Sequence, residues 1–185
     1  VVVLSFCNFA GVRASDLEDG DIIFHNSLSR QSAAIEAATN SPLTHVGLVF
    51  LEDGNPVVYE AVQPVKKTSL KEWTARGKNG SYVVRRLKDK SNLDMAKLKK
   101  QVSGFLGKDY DSQFGWSDAR IYCSEFVWKA YDRAFGIQIG SLKKMKDLEL
   151  THPVVKQVLQ ERYGNSVPME MTIISPADVF ESNLL

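Results

Sequence analysis

Hydrophobic and polar positions follow a strand period in the first half of the chain and a helical period in the second. Short apolar runs between turn residues predict buried strands. The predicted strands are Asp21–Phe24, Thr44–Leu51, Val57–Val62 and Ser81–Leu87. Asp53-Gly54-Asn55-Pro56 joins the second and third strands into a β-hairpin. Helical patterns interrupt these strands at Ser29–Thr39 and after the capping box that begins at Ser69.

The second half is mainly helical. Helices are predicted from a cap at Ser91–Asp94 to about Phe105, from Cys123 to a stop at Gly136, over Val154–Tyr163 and from Ser175 onward. An aromatic loop at 107–115 and a strand at 171–174 complete the pattern. Strands followed by helices favour an α+β fold. With no linker or repeat in the sequence, we expect residues 15–185 to form a single domain.

Composition and charge exclude one class of partner. The chain has 185 residues, 44% of them apolar and 24% charged, with a formal net charge of +1. These values are typical of a globular protein. The lysines form only small clusters, so no basic stretch is dense enough to follow a nucleic-acid backbone. We therefore expect no nucleic-acid partner, and the oligomeric state stays open.

The first residues need a separate interpretation. Val1–Phe6 is apolar, and Val12-Arg13-Ala14 is an acceptable signal-peptidase site. We expect residues 1–14 to be the remnant of a signal peptide or an N-terminal extension; a buried edge strand is the alternative. Cys7 faintly resembles a bacterial lipid-attachment site, which would bring the protein close to a membrane. Export to the periplasm or cell envelope follows from this interpretation.

The two cysteines, Cys7 and Cys123, have different expected roles. If Cys7 is removed or lipidated, Cys123 is left unpaired in an exported protein, and a reactive thiol is the leading explanation. The two are too far apart for a cysteine-based zinc site of the usual spacing. We expect neither a metal nor a cofactor.

Cys123 is predicted at the first turn of an amphipathic helix. The positive end of the helix dipole lowers the pKa of a thiol there and favours the nucleophilic thiolate. The alternative is a small apolar residue in the core, where free cysteines are common. The choice depends on whether the chain supplies a base.

His45 and Glu60 are the candidates for a base and its partner. Side chains alternate along a strand, so His45 points away from the apolar face of Val46 and Leu48. In the hairpin, Glu60 falls close to His45 on the neighbouring strand. We expect the Glu60 carboxylate to accept the proton on Nδ1 of His45, which would leave Nε2 for the thiol. His25 is the main rival base, and a capping or surface role is expected for His152.

Cys123, His45 and Glu60 would then act as nucleophile, general base and orienting carboxylate. The backbone N–H of Cys123 is the first candidate donor to an oxyanion, because amides at a helix start point the right way. The hydroxyls of Tyr122 and Tyr110 are candidates for a second donor. Both tyrosines also fit a simple packing role.

A set of short motifs in a fixed order resembles a known family. The motifs are Gly20-Asp21-Ile22-Ile23-Phe24, Thr44-His45-Val46-Gly47, Tyr59-Glu60-Ala61-Val62, Gly107-Lys108-Asp109-Tyr110-Asp111, Tyr122-Cys123-Ser124-Glu125 and Ile174-Ser175-Pro176. In combination they resemble the YiiX-like family of bacterial proteins, in the circularly permuted branch of the NlpC-type, papain-like cysteine peptidases. The resemblance runs from about Gly20 to Phe180.

The resemblance implies a permuted papain-like fold, with a small antiparallel β-barrel or sheet packed against the cysteine helix and further helices. It also implies a Cys-His-polar triad, which maps onto Cys123, His45 and Glu60. Gln31 resembles a family segment near the histidine loop, where a pocket-lining role and a solvent-facing role are both open. Relatives of this architecture include lecithin:retinol acyltransferase-like enzymes, which move acyl groups between lipids.

Three functions are consistent with these residues. A cysteine hydrolase, of the peptidase or amidase kind, would cleave a cell-wall peptide or a lipid-linked amide or ester through a thioester on Cys123. A lipid acyltransferase would use the same triad. A binding module without turnover is disfavoured by the intact cysteine, histidine and acid. An apolar pocket beside Cys123 would favour a lipid acyl group, and an open polar groove would favour a peptide.

Overall fold

A five-stranded antiparallel sheet lies at the centre of the computed structural model, which describes residues 13–185. Its strands are β1 (Ile22–His25), β2 (His45–Glu52), β3 (Asn55–Glu60), β4 (Lys66–Ser69) and β5 (Val83–Arg85). Their order across the sheet is β4-β3-β2-β1-β5. Over the described residues the sheet is open, so of the two forms that the resemblance allows, the structure has the sheet and not the barrel.

Helices and two small pairs of strands surround this sheet, and the α+β prediction is confirmed. The α-helices are α1 (Ser32–Thr39), α2 (Leu70–Ala75), α3 (Met95–Ser103), α4 (Cys123–Phe135), α5 (Pro153–Tyr163) and α6 (Pro176–Phe180). The short strands are β6 (Asp109–Tyr110), which pairs in parallel with β7 (Arg120–Ile121), and β8 (Lys143–Lys144), which pairs with β9 (Thr172–Ile173). Single turns of 3₁₀-helix lie at Ala14–Asp16, Lys78–Gly80 and Met145–Asp147.

Most predicted elements are present with shorter or shifted ends. The cap of α3 is Asp94, whose side chain accepts a hydrogen bond from the backbone N–H of Ala96 at 3.0 Å. Strand β4 was not predicted, because its Lys-Lys-Thr-Ser sequence has no apolar alternation. It forms nevertheless because backbone hydrogen bonds to β3 do not depend on side-chain polarity.

The two faces of the sheet have different covers. Val46 and Leu48 on β2 pack in one core with Phe126 and Val127 of α4. The opposite face carries Val49, which packs against Trp73 of α2 and its neighbours. This agrees with the predicted alternation along β2. As a result, the first turn of α4 lies against the start of β2, where His45 is located.

The long helix α4 has clear ends. Glu125 caps its start, where the backbone N–H of Tyr122 donates to the Glu125 carboxylate at 3.1 Å. Gly136 ends it with a φ of 70°, a left-handed conformation that glycine adopts without steric cost. No helix within 13–185 has the length and apolar character needed to cross a membrane.

The expectations for the N-terminus are not tested by this fold. Cys7 and the apolar stretch that begins at Val1 lie outside the described residues. The signal remnant or extension at 1–14, the lipidation of Cys7 and the expected export therefore stay predictions.

Candidate active site

Cys123 is the first residue of α4, and its side chain is buried. It accepts hydrogen bonds from the backbone N–H groups of Val46 and Ser124 and pairs with the ring of His45. Burial raises the pKa of the Cys123 thiol, but the hydrogen bond and the positive charge of His45 outweigh it, and the net effect is a lowered pKa. The thiolate is therefore favoured at this position.

The ring of His45 joins Cys123 to Glu60. His45 Nε2 lies 2.7 Å from Glu60 Oε2, so Nδ1 is the ring nitrogen left for the thiol. The predicted tautomer is therefore wrong: the carboxylate holds Nε2 and not Nδ1. The strand register explains this, because Leu48 pairs with Tyr59 and so Glu60 lies diagonal to His45. From there its carboxylate reaches the far nitrogen of the ring.

Burial and neighbouring charges shift the pKa values of both His45 and Glu60. Burial lowers the pKa of His45, but its hydrogen bonds to Cys123 and Glu60 overcome this and raise it to about 9. Burial raises the pKa of Glu60, but the hydrogen bond and charge of His45 lower it to about 2. At neutral pH His45 is therefore protonated and Glu60 is ionised, and the charged ring of His45 lowers the pKa of the Cys123 thiol beside it.

Two further residues support Glu60, and neither was predicted. Thr68 on β4 donates its hydroxyl to Glu60 Oε1 at 2.5 Å. Arg76, just after α2, forms an ion pair with the same oxygen. Glu60 is fully buried, and an ionised carboxylate at such a position needs partners of this kind. No sequence motif marked either residue, because both depend on the unpredicted pairing of β4 with β3.

Gly47 provides the space that the predicted arrangement requires. A Cβ at this position would come within 2.7 Å of Cγ1 of Val58, 3.0 Å of the Tyr59 carbonyl oxygen and 3.5 Å of the Cβ of Glu60. The glycine therefore allows β3 and the Glu60 side chain to lie close over β2.

The rival histidines have other roles. His25 is 2% exposed and pairs with His45 across β1 and β2. Its ring packs edge-on against Trp73 with centroids 3.9 Å apart, and neither ring nitrogen has a hydrogen-bond partner in the described protein. His152 caps α5, where its Nδ1 accepts the backbone N–H of Val154 at 3.3 Å. Neither is placed to take a proton from Cys123.

The two tyrosine candidates differ in their availability. The Tyr122 hydroxyl already accepts the backbone N–H of Ile174 at 3.1 Å in the core. The Tyr110 hydroxyl lies beside Cys123 and hydrogen-bonds it. Burial and the charge of Cys123 raise the pKa of Tyr110, so its proton stays in place as a donor. Tyr110 is therefore the better placed of the two candidates.

Gln31 lies beside Tyr110 and lines the pocket. Its Nε2 donates to the Tyr110 hydroxyl oxygen at 3.0 Å, and its Oε1 accepts from Arg162 Nη2 at 2.8 Å. Arg162 has only donors, so it fixes which way the Gln31 amide faces. The Tyr110 oxygen then accepts from Gln31 and keeps its own proton for Cys123. Arg162 was not predicted, since α5 is distant in sequence from the other site residues.

Two cavities meet beside Cys123 and His45. The first is a narrow pocket, partly open to solvent, that reaches Cys123. Its walls are almost entirely apolar and come from α1, the 3₁₀ turn at Met145–Asp147, α5 and the segment before α6, including Ala34, Met145 and Leu159. The second is an open, more polar cleft that reaches His45 and Arg76. Gln31 and Tyr110 line both cavities.

Comparison with known proteins agrees with this geometry. A family model described as permuted papain-like amidase enzyme, YaeF/YiiX, C92 family, matches residues 16–185. The chain is 45% identical over 166 residues to a protein of Escherichia coli K12 described as uncharacterized protein YiiX, covering 89% of this chain and 82% of YiiX.

A crystal structure from Escherichia coli O157:H7, titled metalloprotein YiiX, superposes with a TM-score of 0.86 at 45% identity and covers 90% of this chain and 93% of that one. The resemblance of the sequence motifs to YiiX-like proteins is thereby confirmed, as is the expectation of a thiol hydrolase related to cysteine peptidases. The chain belongs to the permuted papain-like amidase family of YaeF and YiiX.

Proposed function

We propose that this protein hydrolyses amides of apolar acyl groups through a thioester on Cys123, with His45 as base and acid and Glu60 as its orienting partner. The observation that carries the proposal is the apolar pocket that ends at Cys123. An alkyl chain in that pocket would bring its carbonyl carbon to the sulfur. A peptide would leave its backbone polar groups unpaired against the same walls.

The first half of the reaction forms the thioester. The Cys123 thiolate attacks the carbonyl carbon, and the carbonyl oxygen becomes an oxyanion that accepts hydrogen bonds from the backbone N–H of Cys123 and the hydroxyl of Tyr110. Protonated His45 then donates its Nδ1 proton to the amide nitrogen as the C–N bond breaks. The amine leaves, and the acyl group stays on sulfur.

The second half restores the enzyme. Neutral His45 takes a proton from water, and the hydroxide adds to the thioester carbonyl. The C–S bond breaks, and the products are a fatty acid and the Cys123 thiolate beside protonated His45. Glu60 keeps the ring oriented throughout and stabilises its charged form.

No step of this reaction passes through a metal. The related YiiX structure is titled a metalloprotein. In this chain, over residues 13–185, no group of three or more His, Cys, Asp or Glu side chains is arranged to hold a metal ion. The donor set at Cys123 and His45 is instead used in hydrogen bonds.

Acylation of the protein with two activated esters tests the proposal. Dodecanoyl 4-nitrophenyl ester should release a burst of nitrophenol and leave a dodecanoyl adduct on Cys123, detected by mass spectrometry of the peptide. Cys123→Ala should abolish both signals. Acetyl 4-nitrophenyl ester should react more slowly, because it leaves the pocket empty. An adduct on another residue, or equal rates with both esters, would contradict the proposal.

A matched pair of variants on α1 isolates the pocket. Ala34 is buried and lines the pocket, whereas Ala33, next to it on the same helix, is exposed. Ala34→Phe should slow the dodecanoyl ester selectively and change the acetyl ester little, and Ala33→Phe should change neither rate. Product analysis with an added amine would show whether water or the amine resolves the thioester, which separates hydrolase from acyltransferase.

A further inference from the structure

The two cavities divide a bound substrate at its scissile bond. The nucleophile bonds to the acyl carbon, and the general acid delivers its proton to the leaving atom. The apolar pocket reaches Cys123 but not His45, and the polar cleft reaches His45 but not Cys123. The acyl chain therefore lies in the pocket, and the leaving group lies in the cleft.

Arg76 is a strong hydrogen-bond donor in the lining of the cleft, and several of its N–H groups are available to a ligand. Arg76 is the only cation there besides His45, and no carboxylate lines it among the described residues. The Arg76 side chain is 39% exposed, and its Nη2 is the atom that binds Glu60. A guanidinium has five N–H donors, so most of them remain for a ligand.

Several other polar groups of the cleft already take part in hydrogen bonds. Gln63 donates to Asp109 at 2.6 Å and accepts the backbone N–H of Tyr110 at 2.7 Å. The Ser27 hydroxyl accepts the backbone N–H of Ser29 at 3.1 Å. These groups shape the cleft, while Arg76 can respond to the charge of what enters it. A guanidinium fork matches a carboxylate or a phosphate group.

We propose that the leaving group carries a carboxylate or a phosphate, and that Arg76 binds it in the cleft beside His45. This inference rests on the proposed function and deepens it: the substrate class becomes an apolar acyl group linked to an anionic amine. Arg76 would thus serve two purposes, because one face of the guanidinium holds Glu60 and the rest meets the anion.

Paired substrates that differ only in the charge of the leaving group test this. N-Dodecanoylglycine is compared with N-dodecanoylglycinamide, and N-dodecanoyl-O-phosphoethanolamine with N-dodecanoylethanolamine. In each pair we expect the anionic member to have a kcat/KM at least about tenfold higher, a 1.4 kcal/mol preference. The carboxylate and phosphate pairs show which of the two anions Arg76 prefers.

Variants assign any preference to Arg76. Arg76→Gln should reduce the ratio within each pair to about one, and Arg76→Lys should retain part of it, because a lysine keeps the charge without the fork. The ratio is informative even if Arg76→Gln also disturbs Glu60, because that disturbance affects both members of a pair. Lys71→Gln is the matched control: it removes a charge from α2, is exposed and does not line the cleft.

Clear outcomes would overturn the inference. A wild-type ratio near one, or a ratio that Arg76→Gln leaves unchanged, excludes an anion site at Arg76. If no amide is hydrolysed, the acyl-enzyme made from the dodecanoyl ester is offered glycine or glycinamide as acceptor, and faster capture by glycine is expected. Equal capture overturns the anion site alone, whereas failure to form any acyl-enzyme overturns the proposed function together with it.

Discussion

His25 and His45 are paired residues on neighbouring strands, and yet their surroundings give them different charge states. Both are buried, and their ring centroids lie 5.4 Å apart. Burial, together with the positive charge of His45, lowers the pKa of His25 to about 3. The pKa of His45 is raised to about 9 although burial opposes it. One ring is therefore neutral and the other charged at neutral pH.

The difference lies in hydrogen-bond partners and not in depth. His45 has a thiol on one side and a carboxylate on the other, whereas the ring nitrogens of His25 have no partner in the described protein. Trp73 touches both rings, with centroids 3.9 Å from His25 and 5.2 Å from His45. The comparison shows that burial alone excludes charge, and that specific partners are needed to keep a buried imidazole protonated.

The largest expected effect separates the two histidines directly. His45→Ala should lower the rate of Cys123 acylation by about 10³-fold, because both the base and the ion pair are lost. Labelling of Cys123 by iodoacetamide at pH 7 should slow severalfold, because the thiol pKa rises.

His25→Phe is the matched comparison for this prediction. It keeps a ring of similar volume against Trp73. Both rates should stay close to those of the wild type. The proposed roles would be exchanged, and the proposal refuted, if His25→Phe were the damaging variant.

A second prediction removes Glu60, one of the two partners that keep His45 charged. Glu60→Gln should reduce kcat by about 10²-fold. In the wild type, acylation should set in below the ordinary thiol pKa and decline as His45 loses its proton near pH 9. In Glu60→Gln that decline should move to lower pH, because the carboxylate no longer stabilises the imidazolium and only Cys123 still does.

A pH–rate profile of acylation from pH 4 to 10 measures this shift. Glu52→Gln is the control, since Glu52 is a carboxylate of the same hairpin that pairs with Lys67 away from the site. A profile unchanged by Glu60→Gln would show that Glu60 does not set the pKa of His45.

A third prediction concerns how His25 makes the free energy of unfolding depend on pH. A histidine with a folded pKa of about 3 and an unfolded pKa near 6.5 favours folding above pH 6.5, and this contribution is lost as the pH falls towards 3. His25→Phe lacks this dependence. We compare the free energy of unfolding of the variant with that of the wild type at each pH. Between pH 7 and pH 5 this difference should shift by about 2 kcal/mol in favour of the variant.

Urea unfolding at pH 7, 6 and 5 measures this difference between the two proteins. Comparing the variant with the wild type cancels the titration of other buried groups, such as Glu125. A difference that does not change with pH would mean that His25 is not held neutral by its surroundings.

The smallest expected effect tests how much the hydrogen bond from Thr68 contributes to holding the Glu60 carboxylate. Thr68→Val keeps the shape of the side chain and removes one hydrogen bond to Glu60. A hydrogen bond of this kind contributes about 1 kcal/mol, so kcat/KM should fall about fivefold. The residual activity is expected because His45 and Arg76 still hold the carboxylate. A loss as large as that of Glu60→Gln would show that Thr68, and not Arg76, keeps Glu60 in place.

Local pattern was sufficient for much of the fold and for three site residues. The apolar face of β2, the amphipathic α4 and the turn at Asp53–Pro56 depend on residues close in sequence, whose periods of two and 3.6 can be counted. The proximity of His45 and Glu60 could be predicted for the same reason, because a short hairpin connects them. Cys123 was marked by its place at a helix start.

Only the tertiary structure decided which groups complete the site. Thr68, Arg76 and Arg162 come to Glu60 and Gln31 through strand pairing and helix packing, and their own neighbours in sequence carry no signal. The tautomer of His45 and the choice of Tyr110 over Tyr122 also depend on distances between separate elements. The sequence alone indicated the residue types of the candidate site, whereas their partners and charge states followed from the packing of elements that are distant in sequence.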